Sequence, residues 1–231
     1  MVFIGYNEII ILNIGANNKP AERSPLMLKL TWLGHACFAL EAEGYRILLD
    51  PYAPDYVPGL GRVETSANLV LCSHDHADHG WKEGIPMPLN EVHCPFTVTA
   101  VPAFHDEDMG SKRGLNTIHV IEYEGIRVAH LGDLGHDLDE DDIETLGALD
   151  AVLIPIGGTY TLDCQQASDL ADRLQVKTVI PMHYRRGDMG FEVLQTLEEF
   201  LILRPGHQEL PGNTLEITDD MPETTIVLNV K

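Results

Sequence analysis

The segment CSHDHADHG, residues 72–80, places three histidines and two aspartates within six consecutive positions. It follows an apolar run that is typical of a buried strand. Alternate residues of an extended segment point the same way, so His74 and His76 can converge on one point while Asp78 and His79 serve another. Neutral imidazole nitrogens and carboxylate oxygens are ligands of zinc, manganese and iron(II) in proteins. The segment therefore predicts a site for two metal ions at the end of a strand.

Two metal ions need more than four protein ligands, so other ligands must come from elsewhere in the chain. Three polar side chains directly follow strand-like runs, namely His105, Asp133 and His183. Taken alone, each is more typical of a turn or of packing, just as a loop rich in histidine and aspartate can be an ordinary solvated connection. Their shared position after a strand favours a site, because α/β proteins build their sites from loops at strand ends.

Composition limits the class of protein and its partners. With 231 residues, of which 44% are hydrophobic and 22% charged, the chain is long enough for one globular α/β domain. Its 36 acidic and 15 basic residues give a net charge of -21, which disfavours nucleic acid as a partner. The four cysteines form no C-x-x-C pair, which predicts free thiols and a cytoplasmic location. Oligomeric state stays open.

The N-terminal region differs from the rest of the chain. Its apolar stretch 9–14 is too short to span a bilayer and lacks the basic flank and cleavage site of a signal peptide. A polar stretch with two prolines follows, and a regular strand pattern begins at Met27. We therefore predict an N-terminal appendage over residues 1–26, a single domain over residues 27–231, and no association with a membrane.

Strand and helix patterns alternate along the predicted domain. Strands are predicted over 28–33, 37–41, 45–50, 68–73, 91–94, 97–101, 117–123, 126–131, 150–156, 177–182 and 224–229. Capping-box patterns, Asp137-x-x-Glu140 and Asp163-x-x-Gln166, predict the starts of two helices, and apolar spacing predicts a third over Phe191–Leu203. Strands that pair first as hairpins and then alternate with helices predict an α/β sandwich with its helices outside.

From Met27 to about Phe200 the sequence resembles the metallo-β-lactamase fold superfamily. The resemblance is carried by an aspartate ending a strand, Asp50, by the 74–79 motif, and by the three post-strand residues in their order. The stretches TWLGHACF, LLDPY, GDLG and GGTYTLD are similar to a subgroup that includes L-ascorbate-6-phosphate lactonase and unassigned metal-dependent hydrolases. The resemblance implies a metallo-β-lactamase-like αββα sandwich, in which two mixed β-sheets pack face to face with helices outside.

The resemblance also implies a complete ligand set. The first metal ion would be held by His74, His76 and His105. The second would be held by Asp78, His79 and His183. Asp133 would bridge the two ions, and Asp50 would support the ligand loop. The implied cofactors are two divalent metal ions per chain, Zn²⁺ or Mn²⁺ with Fe²⁺ as an alternative, and the two carboxylates of the second site favour manganese there.

Two further residues are candidates for catalysis beside Asp133. Asp75 could orient a ligating histidine or move a proton. The alternative is that it is an ordinary solvated aspartate of the loop. His35 follows the first predicted strand, where the resemblance places the rim of the site. A role of His35 in handling substrate or protons stands beside simple packing.

Basic residues follow two of the ligand positions in this acidic chain. Lys112 and Arg113 lie in the loop after His105, and Arg185 and Arg186 follow His183. Their cations could bind an anionic substrate. Ordinary surface charge is the alternative, and for Arg186 it is the favoured interpretation.

The predicted function is that of a dinuclear metal-dependent hydrolase. A hydroxide that bridges the two ions would attack a small anionic ester, lactone or phosphoester, because divalent cations lower the pKa of bound water. The sequence has no G-x-S-x-G motif, and its Gly110–Gly114 loop is not a phosphate-binding P-loop. The alternatives are a mononuclear iron oxygenase of the same fold and a metal-binding protein without catalysis.

Overall fold

A computed structural model describes residues 10–13, 27–88 and 92–230. The strands are β1 (Ile10–Asn13), β2 (Leu28–Gly34), β3 (Cys37–Ala42), β4 (Tyr45–Leu49), β5 (Leu69–Leu71), β6 (Thr97–Phe104), β7 (Leu115–Tyr123), β8 (Ile126–His130), β9 (Ala151–Pro155), β10 (Thr178–Met182), β11 (Gln208–Glu209), β12 (Thr214–Ile217) and β13 (Thr224–Val227). The helices are α1 (Glu140–Leu146), α2 (Cys164–Leu174) and α3 (Leu197–Leu203). Within the described part of the chain, no helix is long and apolar enough to cross a membrane.

The strands form two mixed sheets. The eight-stranded sheet has the order β1-β6-β7-β8-β9-β10-β13-β11, and the five-stranded sheet has the order β12-β2-β3-β4-β5. In the larger sheet β6, β7 and β8 are antiparallel neighbours, whereas β8, β9, β10 and β13 run parallel. One apolar core joins both sheets, since Leu30 and Phe38 of the smaller sheet and Ile121 and Val152 of the larger one belong to the same buried cluster. The predicted two-sheet α/β sandwich is confirmed.

The helices agree with the prediction in one case and differ in two. Helix α2 begins at the predicted box, where Asp163 and Gln166 cap each other's backbone. Helix α1 begins two residues later than predicted, because Asp139 is its N-cap, while the Asp137 carboxylate lies 2.6 Å from Arg173 of α2. The start predicted at Asp137 was therefore wrong, since an ion pair with another helix uses the carboxylate that would have capped this one.

The predicted helix over 191–203 was also wrong in its first half. Helix α3 covers only Leu197–Leu203 and is capped by Thr196 and Glu199. The residues before it are held by backbone pairing instead, since Gln195 N donates to Gly157 O at 2.8 Å and Arg185 N donates to Gln195 O at 3.0 Å. Apolar spacing cannot distinguish a helix from a packed loop when the backbone of that loop is hydrogen-bonded to residues outside it.

The remaining differences concern the edges of the sheets. Residues 92–94 form no strand, contrary to the prediction for 91–94, whose first residue lies outside the described residues. Strand β12 was not predicted and pairs antiparallel with β2, which makes it the edge of the smaller sheet. Ile10–Asn13, inside the predicted appendage, pair antiparallel with β6. The domain boundary itself stays a prediction.

Candidate metal centre

Five strand ends deliver the polar side chains of the candidate site. Asp50 follows β4, the 74–79 loop follows β5, and His105 follows β6 directly. Asp133 lies shortly after β8, and His183 follows β10. Because these strands belong to both sheets, the site lies at one edge of the sandwich, as the pattern of post-strand residues predicted.

The carboxylate of Asp50 holds the ligand loop in place. Its carboxylate is fully buried and accepts hydrogen bonds from Ser73 N at 2.7 Å, Ser73 Oγ at 2.6 Å and His79 Nδ1 at 2.8 Å. Burial alone would raise the pKa of Asp50, but His130, His79 and Ser73 outweigh it and hold the pKa below its usual value. The carboxylate therefore stays charged and fixes both ends of the loop, as the resemblance implied.

Three imidazoles form the first ligand group. The ligand atoms of His74, His76 and His105 all lie within 4.8 Å of one another. His74 Nδ1 lies 2.9 Å from Ser73 Oγ, which leaves Nε2 facing His76 Nδ1 at 3.0 Å. Burial, followed by the proximity of His79, lowers the pKa of His74 to about 3, so its imidazole is neutral at pH 7 and free to coordinate.

The second ligand group contains the three residues that the resemblance implied and one more. Asp78, His79, His183 and His35 offer ligand atoms that lie within 4.8 Å of one another. His79 is held through Nδ1 by Asp50, so its Nε2 points away from Asp50, to within 3.2 Å of Asp133 Oδ1. Burial would lower the pKa of His79, but Asp133 and Asp50 outweigh it and raise the pKa well above its usual value. The two carboxylates beside His79 therefore favour a positive charge at this point of the site.

Asp133 lies between the two groups. Its Oδ2 is 3.3 Å from His105 Nε2 in the first group and 3.3 Å from His183 Nε2 in the second. Burial would raise the pKa of Asp133, but the neighbouring His183 and His79 hold it well below its usual value. A charged carboxylate in contact with both groups has the position of a bridging ligand.

The glycines of the GDLG stretch allow Asp133 to reach this position. A Cβ on Gly132 would overlap with the side chains of Asn116 and Ser73, and a Cβ on Gly135 would overlap with the His105 carbonyl. Asn116 Oδ1 also accepts a hydrogen bond from Asp133 N at 2.9 Å. The loop therefore packs directly against the neighbouring ligand loops without intervening side chains.

The donor atoms fit divalent metal ions. Buried atoms without a hydrogen-bond partner among the described residues include His35 Nε2, His79 Nε2, His183 Nε2 and Asp133 Oδ1. Such atoms are costly to bury unless something else satisfies them. Around a tetrahedral ion with ligand distances of about 2.0–2.1 Å, neighbouring ligand atoms lie roughly 3.3 Å apart. The separations of 3.2 and 3.3 Å around Asp133 match that spacing.

A cavity of about 480 Å³ opens beside the cluster. It is lined by His76, Ala77, Asp78, His105 and Asp133, by the cations Lys112 and Arg113, and by the rings of Tyr56, Tyr160 and Phe191. The Arg113 guanidinium lies 5.3 Å from the centre of the Tyr160 ring. The cavity thus combines the candidate ligands with two cations and an aromatic wall.

The other predicted site residues differ in how the structure places them. Asp75 is exposed and is not among the described residues that line the cavity. Arg185 does not line the cavity either, so its predicted role in binding substrate gains no support. Arg186 pairs with Glu209 at 3.0 Å, which agrees with ordinary surface charge. His35 is buried against His183, with ring centres 4.1 Å apart.

Sequence reasoning missed several residues that shape the site. Asp106 is buried and accepts four backbone hydrogen bonds, from the N–H groups of Asp108, Gly110, Lys112 and Arg113. It thereby fixes the loop that carries the two cations. An aspartate that opens a loop is a recognisable turn signal. The aromatic wall had no such signal, because its three rings come from separate parts of the chain.

The class of protein follows from comparison with known families. Residues 29–183 match the model of a family described as "Beta-lactamase superfamily domain". The match covers more than half of the chain, and the chain belongs to this family, the metallo-β-lactamase superfamily. The resemblance found in the sequence is confirmed.

Several relatives of the chain are named metal-dependent hydrolases. A UPF0173 metal-dependent hydrolase of Methanoculleus marisnigri is 31% identical over 203 residues, which are 75% of this chain and 87% of the relative. One of Thermoplasma acidophilum is 30% identical over 198 residues, which are 70% of this chain and 85% of the relative. The chain is accordingly an enzyme of this kind, a metal-dependent hydrolase.

Solved structures show the same fold. A candidate Zn-dependent hydrolase of the superfamily from Thermotoga maritima has a TM-score of 0.72 and 34% identity, covering 88% of this chain and 100% of that one. A metallo hydrolase from Ignicoccus hospitalis has a TM-score of 0.60 and 24% identity, covering 83% of this chain and 99% of that one. At that identity the second likeness concerns the fold alone.

Proposed function

We propose that the protein is a dinuclear metal-dependent hydrolase acting on a small anionic ester, lactone or phosphoester. One observation carries this proposal, namely that Asp133 contacts both ligand groups, with Oδ2 3.3 Å from both His105 Nε2 and His183 Nε2. A buried, charged carboxylate in contact with two groups of imidazoles is a favourable environment for two cations. One cation alone would leave part of this buried polar cluster unsatisfied.

The chemistry would be hydrolysis without a side-chain nucleophile. Two divalent ions held here would activate water at neutral pH and polarise the bond to be broken, zinc and manganese being the favoured metals. The chain's own contribution is to fix the ligands, because Asp50 orients His79 directly and His74 through Ser73. Rigid ligands keep the reacting centre ordered without help from the substrate.

The cavity supports the anionic character of the substrate. Lys112 and Arg113 line it on the side of His105, in a chain whose net charge is -21. Asp106 holds the backbone of both residues, which fixes the loop, while the exposed Lys112 side chain is paired with Asp108. A phosphate or carboxylate group would bind these cations, while an apolar part would contact the rings of Tyr56 and Phe191.

The alternatives have less support. A mononuclear iron oxygenase would not need the second ligand group, whose four members lie within 4.8 Å of one another. A metal-binding protein without catalysis would not need a cavity of about 480 Å³ lined by the candidate ligands. The lactonase-like substrate and the cytoplasmic location stay predictions, as does the absence of a nucleic-acid partner.

The test combines metal analysis with a substrate panel. The protein, purified without chelators or a histidine tag, is expected to hold about two zinc or manganese ions per chain and to hydrolyse a lactone, carboxylic ester or phosphoester from the panel. Asp133→Asn should lose most of one ion and nearly all turnover, while Asp75→Asn, with the same change of charge in the exposed part of the loop, should keep both ions. A single ion in the wild type, or full turnover in Asp133→Asn, would contradict the dinuclear proposal.

A further inference from the structure

His35 lies in the turn between β2 and β3, and its backbone is held in an uncommon conformation. Its φ is +53°, in the left-handed region that side chains other than glycine seldom adopt. Its carbonyl accepts hydrogen bonds from Trp32 Nε1 at 3.0 Å and from His183 N at 3.4 Å. The turn is therefore tied to the end of β10, and His35 is fixed beside the candidate ligand His183.

The side chain of His35 faces the second ligand group. Its Nε2 lies 3.4 Å from Asp78 Oδ2, and its ring centre lies 4.1 Å from that of His183 and 5.5 Å from that of His79. The ligand atoms of these four residues lie within 4.8 Å of one another. The His35 side chain is fully buried, and neither ring nitrogen has a hydrogen-bond partner among the described residues.

We infer that His35 is a further protein ligand of the second metal ion, together with Asp78, His79, His183 and the bridging Asp133. The inference rests on the proposed function, since it requires the second ion. It explains why a strained, buried histidine has an Nε2 without a hydrogen-bond partner that faces a carboxylate and two imidazoles. Simple packing explains the burial but leaves Nε2 unsatisfied.

This ligand set changes the expected character of the second site. Counting Asp78 and the bridging Asp133, the site would offer three imidazoles and two carboxylates, a set richer in nitrogen that favours zinc more than two imidazoles and two carboxylates do. An additional protein ligand leaves less room for substrate at the second ion, whereas a site that binds substrate keeps a position open. The imidazoles that line the cavity, His76 and His105, belong to the first group, while the second group lines it through Asp78 and not through His35, His79 or His183. Substrate would therefore reach the first ion, and the second would be held more tightly.

One other role for His35 fits the same geometry and must be separated from ligation. Its Nε2 could donate a hydrogen bond to Asp78 and only position that carboxylate. Glutamine can keep such a donor in place, whereas asparagine is too short to do so. Asparagine also tolerates the left-handed backbone conformation, so His35→Asn avoids added strain at this turn.

The experiment measures metal content per chain by mass spectrometry, together with the circular dichroism of each variant. His35→Asn and His35→Gln are each expected to lose the second ion, about one per chain, and added imidazole is expected to restore it to His35→Asn. The matched control is His119→Asn, since His119 is buried with an unpartnered Nδ1 but belongs to none of the ligand groups. This control is expected to keep both ions.

Three results would overturn the inference while leaving the proposed function intact. The first is that the His35→Asn variant holds two ions, as the wild type does. The second is that His35→Gln keeps the second ion while His35→Asn loses it. The third is that added imidazole does not restore the second ion to His35→Asn. A wild type with one ion would instead overturn the dinuclear function itself.

A measurement on the unmutated chain guards against variants that fail to fold. The protein is labelled with nitrogen-15 histidine and loaded with cadmium-113, and imidazoles with one-bond coupling to cadmium are counted by NMR. Of the 11 histidines in the chain, six should show the coupling if His35 is a ligand and five if it is not. The five are His74, His76, His79, His105 and His183.

Discussion

Asp50 Oδ2 lies 2.8 Å from Nδ1 of His79, and both side chains are fully buried. The same oxygen accepts a hydrogen bond from Ser73 Oγ, which in turn contacts His74 Nδ1. One carboxylate therefore orients a candidate ligand of each metal ion. Carboxylates that hold a ligating imidazole fix its orientation and raise its basicity.

Replacing Asp50 with asparagine should weaken binding of both ions. The change keeps the shape of the side chain but removes the charge that holds His79 and Ser73, so we expect metal affinity to fall by about 10- to 100-fold. Competition with a chelating dye measures this. Asp169→Asn, which makes the same change of charge at an exposed position of α2, should leave affinity unchanged. Equal affinities in the two variants would argue against the role of Asp50.

Ser73→Ala separates the two ligand groups. It removes the Oγ that lies 2.9 Å from His74 Nδ1 but leaves the contact of Asp50 with His79. The first ion should therefore be bound more weakly, by roughly tenfold, while the second is retained. Stepwise removal of metal by a chelator, followed by mass spectrometry, checks the order of loss. Ser168→Ala, at another buried serine, is the control. Equal weakening of both ions would contradict the relay through Ser73.

Arg113→Ala should impair binding of anionic substrates. The guanidinium lines the cavity, and loss of a charged contact of this kind raises KM by about tenfold while kcat changes less. A neutral ester of similar shape should show little change. Arg186→Ala removes a cation that is paired with Glu209 and does not line the cavity, so KM should stay near that of the wild type. An equal rise in KM for the anionic and the neutral substrate would show that the size of the Arg113 side chain matters and that its charge does not.

Gly132→Ala should destabilise the fold more than Gly44→Ala. Both glycines have positive φ, +58° and +76°, so both variants incur the strain of a left-handed alanine, about 1–2 kcal/mol. Only at Gly132 would the new methyl group overlap with Asn116 and Ser73, adding about 1–3 kcal/mol. Urea unfolding monitored by circular dichroism gives both values. Equal losses of stability would mean that the loop around Asp133 can shift at little cost.

Local patterns predicted well wherever the decisive contacts are local. The capping box at Asp163 was right because its partner, Gln166, lies three residues away. The box at Asp137 was wrong because Arg173 of another helix binds that carboxylate. The helix predicted from Phe191 was too long, because the backbone of Gln195, just before the helix, is hydrogen-bonded to Gly157 and Arg185, which lie outside the predicted helix.

The sequence by itself determined which donor atoms the candidate site can offer. The spacing from His74 to His79 fixes donor types and directions within one loop, and His105, Asp133 and His183 carry a signal in their position after strands. Only the tertiary structure decided which groups meet. His35 reaches Asp78 and His183, and Tyr160 reaches Arg113, because two sheets pack together and bring their turns to one edge. Such contacts depend on packing between distant segments, for which short sequence patterns carry no signal.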